Sequence, residues 1–295
     1  MKGSENINGL KVGFVLEGGY DSTNGKSDNE GRLFGRETLV YLSGDYGTLY
    51  AGRMHSLLSD GGSINMAGGK ISALDTGSFA PGYHNGISLF ARNDSTIAYR
   101  SPVLNGFQFG AQASNVDTTG GSSTKDRYFA VATSYTAGNF AAFLGGDLMN
   151  KKSAGLENVD DAFTVLAGAN YNFGFVKPYL SVMYFKHLTL NEDLKYKTED
   201  IKIKDAEGYT VTLSAEAPVL GGTLRGSVAY TDGEDKTPGV DDNDFKKYGA
   251  GVEYYYNLSK STRVYGGLGY SKNDTDKANI ELETYTAGAG LVYYF

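Results

Sequence analysis

The chain has 295 residues, a formal net charge of -7, 40% hydrophobic residues, 41 Gly and 23 Tyr, and neither Cys nor Trp. Without Cys there is no disulfide scaffold and no thiolate metal site, and mild acidity argues against a nucleic-acid binder, which would present a basic face. At a mean hydropathy of -0.33 no apolar run approaches the ~20 residues of a membrane helix; this excludes spanning by helices but not by strands, whose second face can stay polar.

Taken in chain order, period-two alternation recurs from end to end. Leu10, Val12, Phe14 and Leu16 face one way and Lys11, Gly13, Val15 and Glu17 the other. Phe107, Phe109 and Ala111 oppose Gln108, Gly110 and Gln112, and Phe163, Val165, Ala167, Ala169 and Tyr171 oppose Thr164, Leu166, Gly168 and Asn170. Tyr209, Val211, Leu213 and Ala215 oppose Thr210, Thr212, Ser214 and Glu216; Leu224, Gly226 and Val228 oppose Arg225, Ser227 and Ala229; Tyr248, Ala250, Val252 and Tyr254 oppose Gly249, Gly251, Glu253 and Tyr255. Val264, Gly266, Leu268 and Tyr270 oppose Arg263, Tyr265, Gly267 and Gly269. The last segment sets Tyr285, Ala287, Ala289, Leu291, Tyr293 and Phe295 against Thr286, Gly288, Gly290, Val292 and Tyr294. One such match is weak; about fourteen full strands from Leu10 onward, with a stub at Lys2–Glu5, predict an all-β chain.

The connectors alternate in length. Gly44–Gly47, Leu104–Gly106, Ala137–Asn139, Phe173–Gly174, Leu220–Gly222 and Asn257–Ser261 are short and carry hairpin chemistry. Ser22–Gly31, Met54–Ala91, Val116–Arg127, Lys151–Asp160, His187–Glu207, Gly233–Asp244 and Lys272–Asn279 are long and, Met54–Ala91 apart, rich in charged and small polar residues. Short turns at one rim and long loops at the other, with Tyr at strand ends, predict a transmembrane antiparallel β-barrel. Sandwiches and propellers also alternate, but they bury large aliphatics and charge their outer surface. Here one face is Tyr, Phe, Ala, Gly and Leu, and the other Gly, Thr, Ser and Gln with scattered charges.

Met54–Ala91 breaks the rule. It lacks alternation, carries few charges (Asp60, Lys70, Asp75) and holds Leu57, Leu58, Ile64, Ile71, Leu74 and Phe79. A loop this long is usually functional or disordered, and disorder would be more polar. Its apolar residues need a wall, which folding into the lumen provides.

Against this background several stretches resemble the trimeric general diffusion porins of Gram-negative bacteria, nearest to the Neisseria and β-proteobacterial type. Asn8-Gly9-Leu10-Lys11-Val12, Gly35-Arg36-Glu37-Thr38-Leu39, Gly47-Thr48-Leu49-Tyr50-Ala51-Gly52-Arg53, Leu58-Ser59-Asp60 and Ser95-Thr96-Ile97-Ala98-Tyr99-Arg100-Ser101-Pro102 carry it, with the C-terminal Tyr293-Tyr294-Phe295. The likeness spans the whole chain, is specific between Gly9 and Pro102, and is generic thereafter. It implies about sixteen strands, a single barrel domain over 1–295 with 54–91 as the constriction loop, and a homotrimer in outer-membrane lipid. Met1-Lys2-Gly3-Ser4-Glu5 has neither the basic nor the apolar part of a signal peptide. It is similar to the end of that family's second strand, so the first strand and most of the second are expected upstream, or else the remaining strands close a narrower barrel.

In the resembling porins, wall bases oppose loop carboxylates and the field between them sorts ions. The corresponding bases here are Lys11, Arg36, Arg53, Arg92 and Arg100, and the acids Asp60 and Asp75; each could instead be a solvated rim residue. Where the family has Gly, Arg and a second loop carboxylate, this chain has Tyr41, Tyr50 and Ser63. His55, His84 and His187 lack ligand spacing, Asp241-Asp242-Asn243-Asp244 lacks the closing Glu of a calcium loop, and no catalytic constellation stands out. No enzyme activity, cofactor, metal or nucleic-acid partner is expected. The expectation is a passive outer-membrane channel for ions and small hydrophilic solutes. Its alternative is a channel preferring sugars or anions, with Tyr179, Tyr255, Tyr265 and Tyr294 as stacking surfaces.

Overall fold

A computed structural model describes residues 1–21, 23–27, 29, 31–74, 92–116, 126–150, 160–196, 199–237, 239, 244–275 and 280–294. Its strands are β1 (Lys2–Ile7), β2 (Leu10–Glu17), β3 (Glu37–Gly44), β4 (Gly47–His55), β5 (Arg92–Arg100), β6 (Phe107–Val116), β7 (Asp126–Ala137), β8 (Phe140–Asn150), β9 (Ala162–Tyr171), β10 (Lys177–Tyr196), β11 (Glu199–Val219), β12 (Gly222–Asp235), β13 (Asp244–Asn257), β14 (Thr262–Thr275) and β15 (Ile280–Tyr293). They form one 15-stranded sheet in chain order. Tight hairpins set the order: Asn8–Gly9 (φ 49° and 85°) joins β1 to β2, and Leu220–Gly221 (φ 49° and 79°) joins β11 to β12. Positive φ at both central positions gives a turn whose twist matches that of the paired strands.

The chain divides into two compact units: Met1–Ala67 with Leu89–Tyr135 and Gly145–Asp161, and Gly68–Ser88 with Thr136–Leu144 and Ala162–Phe295. In the first, Val12, Leu42, Leu49, Tyr99, Ala111 and Val131 stand opposite one another in register across six strands, an apolar row. In the second, Leu180, Leu213, Val228, Ala250, Tyr270 and Tyr285 do the same. All of these side chains but Ala250 and Tyr270 are exposed: Val131 is 64% accessible, Leu213 54% and Tyr285 75%. A sandwich would bury such rows; bare apolar bands of this extent belong against another apolar phase.

The opposite face is small and polar. Its rows include Gly13, Tyr41, Tyr50, Ala98 and Gln112 in the first unit and Asn170, Tyr179, Ser214, Ser227, Gly251 and Gly269 in the second. The loop after β4 contributes many of the most buried apolar side chains, Leu57, Ile64 and Leu74 fully and Met66 and Ile71 nearly so, beside Met54, Tyr128 and Phe185 of the strands. In each unit, then, the apolar rows stay largely exposed while side chains of the loop are buried against the polar face.

One expected loop is mostly strand. Within His187–Glu207, β10 and β11 run on past Phe185 to Tyr196 and Glu199, through register shifts at Phe185/Leu188, Leu188/Leu190 and Asn191/Lys195. Leu188, Leu190 and Ile203 are buried, and His187 Nδ1 lies 2.8 Å from Asp205 Oδ1. The bulges break strict alternation, which hid the extension in the sequence. Asp75, His84, Asp241, Asp242, Asn243 and Phe295 lie outside the described residues.

Candidate functional site

After β4 the chain folds onto the polar face. In the first unit, Ser56 Oγ lies 2.5 Å from the Tyr128 hydroxyl, which donates to Asp147 Oδ2 at 2.9 Å. The Leu57 N–H donates to Gln112 Oε1 at 3.1 Å, and Gln112 Nε2 donates to the His55 carbonyl at 3.3 Å. Buried polar groups that are mutually satisfied fix a loop in one place, because each bond lost would leave a desolvated partner. Leu57 and Met66 lie over Gly110, where an added Cβ would meet Met66 Sδ at 2.5 Å. Further along, Glu37 on β3 accepts from the Ser63 N–H at 2.9 Å and from its hydroxyl at 2.6 Å.

The sequence-nominated bases are distributed over this face. Lys11, Ser43, Thr48, Arg100 and Gly110 form one register row. Arg100 reaches the Ser63 carbonyl at 3.5 Å, and its guanidinium carbon lies 5.7 Å from the centroid of the Tyr50 ring. Tyr50 in turn neighbours Tyr41, with centroids 6.2 Å apart, and the Tyr41 ring covers Gly13. Arg36 precedes β3 and pairs with Glu17 at 2.5 Å. Arg53 sits at the bulge between Gly52 and Met54 and pairs with Asp94 at 2.7 Å, as does Arg32. Arg92 lies opposite His55 in register. The His55 ring is buried, 8% exposed, with its Nδ1 3.2 Å from Ser59 Oγ. Asp60 is half-buried in the loop; Asp75 is outside the described residues.

In the second unit the loop continues over β9–β11. Asn170 Nδ2 donates to the Gly69 and Lys70 carbonyls at 3.1 and 2.9 Å, and the Ala73 N–H donates to Ser214 Oγ at 3.0 Å. Ile71 lies over Gly168. Here the structure adds charges that the sequence reading did not nominate. Lys177, Glu216, Arg225 and Glu253 form one row of alternating sign. Tyr179 donates to Glu216 at 2.8 Å, and the Tyr255 ring has Arg225 at 4.7 Å and Arg263 at 4.9 Å from its centroid. Alternation already put Arg225, Glu253, Tyr255 and Arg263 on the polar face; what was missing was the register that joins them.

These features have counterparts. Residues 1–276 match the sequence profile of the Gram-negative porin family. Outer membrane porin protein 32 of Delftia acidovorans is 31% identical over 310 aligned residues, covering 99% of this chain and 78% of that protein. An anion-selective porin from Comamonas acidovorans has a TM-score of 0.65 at 25% identity, covering 99% of this chain and 86% of that one. OmpT, an outer membrane protein of Vibrio cholerae in trimer form, shares the fold with a TM-score of 0.57 at 15% identity, covering 99% and 95% of the two chains. With an apolar outer band, a polar inner face and a loop folded onto that face, this chain belongs to the Gram-negative porin family, whose members are transmembrane β-barrels of the bacterial outer membrane.

Proposed function

We propose that the chain conducts ions and small hydrophilic solutes passively through a water-filled lumen, catalyses no reaction, and favours anions. Residues 1–295 act as one barrel domain, and 54–91 narrow its lumen. Lys11, Arg36, Arg53, Arg92 and Arg100 form the basic side of the constriction, and Asp60 and Asp75 the acidic side. One observation carries the sign of the preference: Arg100 faces the loop through a backbone carbonyl, and neither it nor Lys11 has a carboxylate partner among the described residues. Arg32 and Arg53 both pair with Asp94. Excess positive charge in a narrow, partly dehydrated passage raises the local anion concentration. The name of the Comamonas relative points the same way.

Assembly as a homotrimer in outer-membrane lipid is part of the proposal, supported by the trimer form of the Vibrio cholerae relative. Planar-bilayer recording of the purified protein tests the channel. Large ohmic steps, anion-shifted reversal in a KCl gradient and no block by maltose-like sugars are expected. Sugar block would favour the substrate-preferring alternative, and silence would remove the channel. Arg36→Glu should move the reversal potential toward cations; an unchanged value takes Arg36 out of the constriction.

A further inference from the structure

On the polar face of the first unit, two adjoining rows set bases beside aromatic rings. Asn6, Lys11, Ser43, Thr48 and Arg100 stand opposite one another in register, and two residues along each strand Ser4, Gly13, Tyr41, Tyr50 and Ala98 do the same. Neither row contains an acid; beyond Ser43 the chain meets Asp45 only in the exposed turn. Tyr41 lies down across β2, since a Cβ added at Gly13 would fall on its ring. Gly13 is buried beneath that ring, whereas Tyr41 is half-buried and Lys11 exposed. One side of the Tyr41 ring is thus taken up by backbone, and the rest is left to water. Lys11 is two residues from Gly13 on the same side of β2 and diagonal to Tyr41 on β3, a spacing of about 7–8 Å that long and aromatic side chains bridge. Tyr50 is buried, its centroid 6.2 Å from that of Tyr41, and the Arg100 guanidinium carbon lies 5.7 Å from the Tyr50 centroid. Between the two bases Ser43 Oγ and Thr48 Oγ1 are hydrogen-bonded to each other at 2.9 Å.

We infer that Tyr41 and Lys11 form a subsite for aromatic carboxylates of the benzoate class, with the Tyr41 ring as its floor and the Lys11 ammonium as its anchor; it rests on the reading of this face as the wall of a water-filled channel. The chemistry selects the ligand class. A phenol ring laid flat on the sheet offers its face to another flat ring, and such pairs prefer the offset-stacked arrangement. A carboxylate on the edge of the stacked ring then meets an ammonium that stands beside the floor, and Lys11 is free to turn toward it because no carboxylate among the described residues holds it. Arg100, on the row of Lys11, is already engaged by the Tyr50 ring and the Ser63 carbonyl, so it adds attraction at a distance rather than a contact. The hydroxyls of Ser43 and Thr48 satisfy each other and leave the floor without a strong competing donor. The Gly that the resembling family carries at position 41 would leave no ring here, so the preference belongs to this chain.

The test is single-channel recording in KCl with sodium benzoate or sodium cyclohexanecarboxylate added; the second has the same charge and similar bulk but no aromatic face. In the wild-type chain benzoate should reduce the current saturably, with a half-blocking concentration about three- to tenfold below that of cyclohexanecarboxylate. Tyr41→Leu, which still covers Gly13, should bring the two values within about a factor of two of each other, and Tyr41→Phe should keep them apart. Lys11→Gln should raise both about fivefold and leave their ratio unchanged. With KCl conductance present, no block by benzoate, equal block by the two anions, a preference that survives Tyr41→Leu, or undiminished block in Lys11→Gln overturns the subsite and leaves the channel standing. Absence of KCl conductance in the wild-type chain overturns both. If Tyr41→Leu fails to fold, the wild-type preference and the Lys11→Gln result decide the matter.

Discussion

Glu37 and Ser63 are joined by two hydrogen bonds, at 2.9 Å to the Ser63 N–H and 2.6 Å to its hydroxyl, and Glu37 is only 1% exposed. Ser63 stands where the resembling family has a second loop carboxylate. In this chain the wall supplies the acid and the loop the donor, so a carboxylate is still held at this point, turned from field source into clamp. Glu37→Ala should therefore loosen the loop. It strands both Ser63 donors at a cost of about 1–3 kcal/mol, read as a lower unfolding temperature in detergent and as flickering single-channel current. Glu37→Gln should keep the hydroxyl bond and lose less. Quiet, wild-type current in Glu37→Ala would show that the clamp does not hold the loop.

Tyr128 makes a comparable anchor, bridging Ser56 and Asp147 while fully buried. Tyr128→Phe preserves the packing and removes only the hydroxyl. A loss of about 1–3 kcal/mol is expected, with faster cleavage of the loop by an added protease. Equal cleavage rates in the two proteins would place the anchor elsewhere.

Charge gives opposed predictions for two residues of β5. Arg100→Gln removes a base without a carboxylate partner among the described residues and should lower the anion-to-cation permeability ratio. The interaction of two unit charges ~4 Å apart in water is about 1 kcal/mol, so a two- to fivefold fall is expected. Asp94→Asn releases Arg32 and Arg53 from their shared acid and should raise the ratio. Reversal potentials in a KCl gradient read both; shifts of the same sign in the two variants would refute the assignment.

Two glycines under the loop should differ. At Gly110 an added Cβ meets the ends of flexible side chains, Met66 and Leu57. At Gly168 it meets the Leu180 carbonyl at 2.8 Å as well as Ile71 at 2.8 Å. Side chains can yield and a paired strand cannot. Gly168→Ala should thus reduce folded yield and shift conductance, while Gly110→Ala should fold normally with a small conductance change.

Much of this protein was written in its order of residues. The period of two fixed which side chains share a face, from Lys11 on β2 to Tyr285 on β15, because a strand cannot turn its residues any other way. Gly and Asn at the short connectors fixed the hairpins, and the apolar residues of the unpatterned stretch after β4 announced that it packs on something. What only the tertiary structure decided was partnership: that Glu37 grips Ser63, that Arg53 spends its charge on Asp94 rather than on the loop, and that Lys177, Glu216, Arg225 and Glu253 line up across strands far apart in sequence. Alternation gives a side chain its side of the sheet but not its neighbours. Those depend on register and bulges, which long-range pairing sets and no local pattern encodes.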